Sequence, residues 1–256
     1  MAESFEQSLR RAMVAVGRVV ENLIGKAKQA RVQVESRGGV QPLLSLESQL
    51  TAARIHELVE AATQLVMANA LPDLTDQTAL EVGQGHPLYG PRMLGLKAQA
   101  AIGVEISGDE SAVQGDPSRG FVLRAQASRL PFASNRFAYI LGRLATTSQG
   151  DMVRVVHELG RVLAPGGQGV IVDYHPYGLY ARRGTHRLRP AESNIRKIED
   201  YYRLCKLAGI RVVDLKESLI EEDMRPLFKE NEISAYRSLK GTPFLVFVFV
   251  YKPKQK

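Results

Sequence analysis

A single cysteine, Cys205, excludes an internal disulfide and suits a reducing compartment. No apolar stretch approaches the ~20 residues that a membrane-spanning helix needs. The longest, Pro243 to Tyr251, is strand-sized and rich in β-formers. The amino terminus has no secretory apolar core, and Glu3 and Glu6 argue against an organelle transit peptide. A cytoplasmic location is expected. Acids are in deficit: 27 Asp and Glu face 34 Lys and Arg, a net charge of +7. That excess admits nucleic acid, an anionic substrate or a carrier protein with an acidic surface, and equally an ordinary solvated basic surface. The chain shows neither an aromatic RNA-binding strand nor a zinc finger, so nothing favours nucleic acid by motif, and no metal site is expected.

What is present suffices for a large core. The 256 residues are 45% hydrophobic, which fits one large domain with an appendage better than two full domains. Phe5, Leu9, Met13, Val16, Val20, Leu23 and Ile24 recur at helical spacing and predict an amphipathic helix over about 2–34, which Ser36-Arg37-Gly38-Gly39 ends. A second helix is expected over 46–70, with Leu50, Ile55, Leu58, Val59, Ala62 and Leu65 on its buried side. Residues 1–72 thus read as a helical extension, a lid or a means of pairing two subunits, ahead of an α/β domain over 73–256.

From Thr78 the pattern alternates. Strands are expected at 78–83, 101–106, 120–125, 137–142 and 168–174, and helices near 91–99, 109–115 and 149–163. Such alternation predicts right-handed crossovers and a parallel sheet covered on both faces, a doubly wound α/β fold. A helix near 194–208, a strand after Gly209 and the apolar strand 244–251 close the chain, ending the sheet in a hairpin-like pair.

The first strand runs into Glu81-Val82-Gly83-Gln84-Gly85-His86-Pro87, a glycine turn with an acid at its entrance. Gly83 and Gly85 let a ligand touch bare backbone. The next strand, Ala101 to Ile106, also carries an acid, Glu105, near its carboxyl end. Together they describe a nucleoside pocket at the carboxyl edge of a parallel sheet. A dinucleotide turn requires a third glycine, and Leu88 stands there; a phosphate loop requires Gly-Lys-Ser/Thr, which is absent. That leaves nucleoside cofactors without a pyrophosphate.

Here the residues resemble a known family, the class I S-adenosylmethionine-dependent methyltransferases, type 11 group. The resemblance runs from about Ala79 to Tyr251. Leu80-Glu81-Val82-Gly83-Gln84-Gly85 looks like the family's first motif, and Gly103-Val104-Glu105-Ile106-Ser107 its ribose-binding strand. Gln126 to Phe132, followed by Arg136-Phe137-Ala138, resembles the adenine segment and fourth strand. His157-Glu158-Leu159-Gly160-Arg161-Val162-Leu163-Ala164-Pro165-Gly166-Gly167 is close to Glu-x-x-Arg-Val-Leu-x-Pro-Gly-Gly. The resemblance implies a mostly parallel seven-stranded, Rossmann-like sheet that binds S-adenosylmethionine. It implies a cofactor site at Glu81, Gly83, Gln84, Gly85, His86, Glu105, Ile106, Gln126, Ala127 and Gly142. Glu81 would order the turn beside the cofactor's ammonium, and Glu105 would accept both ribose hydroxyls. The Pro165-Gly166-Gly167 run reads as a helix stop that turns into the fifth strand.

Three positions depart from the family pattern: Pro87 for the third glycine, Gln126 for the adenine-binding aspartate, and Ala138 for the aspartate after Phe137. They keep open a degenerate, non-catalytic scaffold, while the charge keeps open an RNA methyltransferase. On the acceptor side, Asp173-Tyr174-His175-Pro176-Tyr177-Gly178 follows the fifth strand. Tyr174, His175 and Tyr177 are candidate substrate-binding residues, with His175 as candidate general base. Arg182 and Arg183 open a basic insert suited to a small anionic or carrier-bound acceptor.

Overall fold

The computed structural model describes residues 50–67, 70–83, 98–106, 121–148, 151–176 and 197–254. Among these, helix α1 spans Ala52–Met67, followed by strands β1 (Thr78–Gly83), β2 (Ala100–Glu105), β3 (Phe121–Arg124) and β4 (Phe137–Arg143). A helical turn at Ala145–Ser148 leads to α2 (Met152–Val162), which runs directly into β5 (Leu163–Tyr174). Helix α3 (Glu199–Leu207), β6 (Arg211–Leu219), α4 (Ile233–Leu239) and β7 (Pro243–Tyr251) complete the order. The helices expected at 2–34 and 109–115 and most of that near 91–99 lie outside the described residues, and Ala98 at the end of the last forms a bridge to Thr75 instead.

The strands form one seven-stranded sheet in the order β3-β2-β1-β4-β5-β7-β6. Neighbours from β3 to β5 pair in parallel, and β7 pairs antiparallel with both β5 and β6. This is the doubly wound α/β architecture expected. The ending differs from a simple hairpin: β6 is the edge strand, and β7 returns across α4 to insert between it and β5. The reason lies in β7 itself, where Phe244 to Val248 are all buried. A strand apolar on both faces belongs inside a sheet.

The side chains of each inner strand alternate between two cores. On one face, Ala79, Tyr139, Leu141, Val170, Val172, Leu245 and Phe247 meet Ile55, Leu58, Val59, Ala62 and Met67 of α1. Fully burying one such Leu, Ile or Met side chain contributes about 1.5–3 kcal/mol. The sequence pattern places α1 in an extension ending at residue 72, but here it shares the core of the sheet, and the compact unit containing both begins at residue 44. The physical reason is the stripe itself, whose apolar side chains are buried in the same core as the strands. Arg54 fastens the helix further, with Nε and one Nη on the two oxygens of Glu232 at 2.8 and 3.0 Å. That hydrogen bond to Arg54, ahead of the opposing effect of burial, holds the Glu232 carboxyl below its ordinary range.

On the other face, Met152, Val155, Val156, Leu159 and Val162 of α2 are buried. Asp151 caps this helix by accepting from the Arg154 N–H at 3.1 Å, a contact worth about 1 kcal/mol. Gly160 lets α3 approach closely: a Cβ there would stand 2.5 Å from the carbonyl oxygen of Ala208. The Pro165-Gly166-Gly167 run lies within β5 rather than ahead of it, as an irregularity between its pairings at Leu163 and Gln168. Gly166 takes φ +85° there, and its N–H reaches the Lys252 carbonyl at 2.7 Å. A β-bulge with glycine at positive φ accommodates such a kink inside a strand.

Candidate active site at the carboxyl edge of the sheet

Strand β1 lies between β2 and β4, so the chain's crossovers leave it in opposite directions and open a crevice at its carboxyl end. Three strands end level there. Gly83 is opposite Glu105 on β2 and opposite Arg143 on β4. The Ile106 N–H donates to the Gly83 carbonyl at 3.2 Å, fixing the start of the chain beyond β2. The backbone thus brings Gly83, Glu105 and Ile106 to one level at this edge. Gln84, Gly85 and His86 lie outside the described residues, as do Tyr177, Arg182 and Arg183.

The remaining expected cofactor residues divide. Gln126 is exposed and bridges to Arg129, while Ala127 beside it is fully buried. Gly142 faces the other way from β1's acid: a Cβ there would meet Leu159 Cδ1 at 3.1 Å. Its smallness therefore serves the packing of α2 on the sheet. Glu81 is buried, with Oε1 3.4 Å from Arg143 Nε. Its carboxylate is thus engaged across the strands beside the turn.

Sequence patterns did not single out Arg143, yet it dominates this edge. It is completely buried, and Glu60 of α1 lies 4.0 Å from its Nη1. Its side chain covers Gly83: a Cβ built on that glycine would meet the Arg143 carbonyl oxygen at 2.9 Å and Nη2 at 3.6 Å. The available signal is a lone charge closing an apolar strand, the same signal that marks Glu105 after 101–104.

Along β5 the edge continues with Asp173, Tyr174 and His175. Asp173 is fully buried and accepts from Tyr201 of α3 at 2.9 Å and from the Thr146 hydroxyl. Tyr174 packs toward Phe244, its ring centroid 6.4 Å away. His175 is also buried, with Nε2 3.0 Å from Glu217 Oε1 of β6. Glu217 is a partner that spacing along the chain could not disclose, since it lies on a strand 42 residues away.

The Glu-x-x-Arg motif sits elsewhere. Arg161 places Nε and Nη2 on the two oxygens of Glu158 at 2.7 and 2.8 Å, and donates to the carbonyls of Phe132 and Leu130. Glu158 in turn accepts from the Leu130 N–H at 2.8 Å. The motif clips the β3–β4 loop to α2, near the amino end of the strands. His157 beside it is exposed, in keeping with a solvated helix position.

The family profile described as a methyltransferase domain matches residues 80–171, which span β1 through most of β5. Over that stretch the chain is similar to the methyltransferase domain family. Solved structures show the same fold at low identity. A S-adenosylmethionine-dependent methyltransferase from Mesorhizobium loti is 17% identical with a TM-score of 0.57, covering 75% of this chain and 99% of its own. A Listeria monocytogenes protein described as a candidate for the same class is 15% identical with a TM-score of 0.58, covering 77% and 99%. A candidate methyltransferase from Haloferax volcanii, solved with the Trm112 methyltransferase activator, is 15% identical with a TM-score of 0.57, covering 81% and 97%. No curated protein matches the sequence significantly.

S-adenosylmethionine is the cofactor named for the Mesorhizobium loti and Listeria monocytogenes proteins. The donor set at the carboxyl edge fits it. Its amino-acid end carries an ammonium and a carboxylate, and the edge offers the carboxylates of Glu60 and Glu81 around the Arg143 guanidinium. Among the described residues no helix is long and apolar enough to cross a membrane.

Proposed function

We propose that this chain is an S-adenosylmethionine-dependent methyltransferase that acts on a small-molecule or carrier-bound anionic acceptor, at the crevice between the ends of β1, β4 and β5. The observation that carries the reading is the level ending of Gly83 and Glu105 on adjacent parallel strands at the switch point of the sheet. When bound, the cofactor supplies an electrophilic methyl group on a sulfonium. Glu105 would hold the ribose hydroxyls and Gln126 the adenine amino group, with Ala127 as the apolar wall of that pocket.

The acceptor would lie against Tyr174, His175 and Tyr177, with Arg182 and Arg183 attracting its negative charge. His175 would take the acceptor's proton. Glu217, 3.0 Å from Nε2, holds the ring in place. Because the methyl group is already activated, the protein chiefly supplies alignment and exclusion of water.

The test is ligand-induced stabilisation. Millimolar S-adenosylmethionine, or its demethylated product, should raise the melting temperature, and Glu105→Ala should abolish most of the rise. An unchanged melting temperature in the parent chain would end the proposal. Screening anionic acceptors with radiolabelled methyl donor then identifies the class, and steeply salt-dependent RNA binding would redirect the assignment to nucleic acid.

A further inference from the structure

We propose that the amino edge of the sheet, on the side away from the crevice, is a second binding surface that takes the phosphate backbone of single-stranded RNA. The inference stands apart from the cofactor reading. Because β7 runs antiparallel to β5 and to β6, its end and the start of β6 meet the beginnings of β4 and β5 at this edge. Along 130–136, 158–168 and 251–254, Arg136, Arg161, Lys252 and Lys254 meet one acid, Glu158, which Arg161 already holds. Arg211 adds a fifth cation, opposite Tyr251 in the register of β6 and β7.

Backbone and side-chain contacts bring these residues side by side. The Arg136 N–H reaches the Val162 carbonyl at 2.8 Å, and Lys252 Nζ reaches Asn135 Oδ1 at 2.8 Å. A Cβ on Gly166 would stand 2.9 Å from Lys254 Cε, so that side chain lies across the kink in β5. Burial first, and then the charge of Arg161, lower the Lys252 pKa, which marks the positive field at this edge. Arg136, Arg211 and Lys254 are exposed and have no acid partner among the described residues. Elsewhere on the surface Arg154 pairs with Asp151, Arg203 with Asp200 and Arg225 with Glu230.

Neighbouring strands lie about 4.8 Å apart, so the row from β4 to β6 extends roughly 15 Å, enough for a few nucleotides. Guanidinium and ammonium groups both suit phosphate oxygens. Tyr251, partly exposed on the face that Arg211 shares, offers a ring on which a base can stack. Cations around one tyrosine, in place of an apolar cluster, favour a phosphate chain over a protein face. The seven residues of β4 set Arg136 roughly 20 Å from the crevice, so RNA held here is tethered away from methyl transfer.

The experiment follows the fluorescence anisotropy of a labelled oligouridylate of about 20 nucleotides with the full chain, from ~50 to ~200 mM salt. Binding should be measurable at the lower salt and weaken steeply at the higher. The triple variant R136Q/R211Q/K254Q should bind at least ~10-fold more weakly at low salt. Its slope of log affinity against log salt should be shallower by about 2, since each single-strand phosphate contact contributes ~0.7. A matched variant, R154Q/R203Q/R225Q, loses the same charge from paired sites and should stay within ~3-fold of the parent. Circular dichroism checks each fold, and R211Q and K254Q, each expected to flatten the slope by ~0.7, decide if the triple variant does not fold. A parent that does not bind at low salt, or a folded triple variant as tight as the parent, overturns the proposal. So does an equal loss in the matched variant, which would make net charge alone responsible. Tighter binding of polyglutamate of equal charge would assign the surface to an acidic protein and overturn it too.

Discussion

The amino and carboxyl edges of the same parallel strands use charge in opposite ways. At the amino edge, Arg161 and Glu158 clamp the β3–β4 loop through short, aligned contacts. Lys252 nearby places its ammonium 2.7–2.8 Å from Asn135 Oδ1 and from the carbonyls of Gly160 and Leu163, at the end of α2. At the carboxyl edge, the buried Arg143 sits 3.4 and 4.0 Å from two acids on different elements. One edge closes the fold. The other buries a cation between an acid of a strand and an acid of a helix. The motif most recognisable in the sequence belongs to the first edge, which shows that legibility and chemistry need not coincide.

Substitutions can break this contrast. The largest effect is expected from Glu81→Leu, which leaves a buried guanidinium without its nearest acid and should cost about 3–5 kcal/mol. Denaturant unfolding measures it, and a loss under ~1 kcal/mol would show that the edge tolerates an unmatched cation. Arg161→Ala removes a bidentate pair and two carbonyl contacts, and about 3 kcal/mol should disappear by the same measurement. Gly160→Ala pits two effects against each other. Alanine favours the helix by ~1 kcal/mol, but the clash with Ala208 should outweigh it and give a net loss of about 1–2 kcal/mol.

The acid side of the stability profile sharpens the comparison. Hydrogen bonding to Arg161, against the opposing effect of burial, lowers the Glu158 pKa from its ordinary value. A depressed folded pKa means that the contribution is present above the unfolded carboxylate value of ~4.3 and is lost as pH falls through the folded one. Unfolding free energies between neutral and acid pH should therefore fall less steeply in Arg161→Ala than in the parent. The smallest effect is expected at the exposed His157, where alanine should change stability by less than ~0.5 kcal/mol.

Several elements were legible because they repeat locally. The alternation of apolar strands and amphipathic helices from Thr78 onward gave the doubly wound sheet, and the observed β1 and β7 differ from expectation by no more than one residue at either end. The glycine turn and Glu105 pointed to the carboxyl edge before any register was known. The place of α1 was less legible: its stripe of Ile55, Leu58, Val59 and Ala62 shows that a face is buried, not what buries it. Gly142 is ambiguous in the sequence for a related reason, since a glycine contacting a ligand and a glycine contacting Leu159 look alike in one dimension.

By itself the sequence determined the periodicities, the turn and the acids at strand ends, because these depend on backbone geometry over a few residues. Only the tertiary structure decided that Arg143 covers Gly83, that Glu60 joins Glu81 around it, and that Glu217 holds His175. Those contacts depend on strand register and on the seating of a helix, and both are set by cores built from residues far apart in the chain.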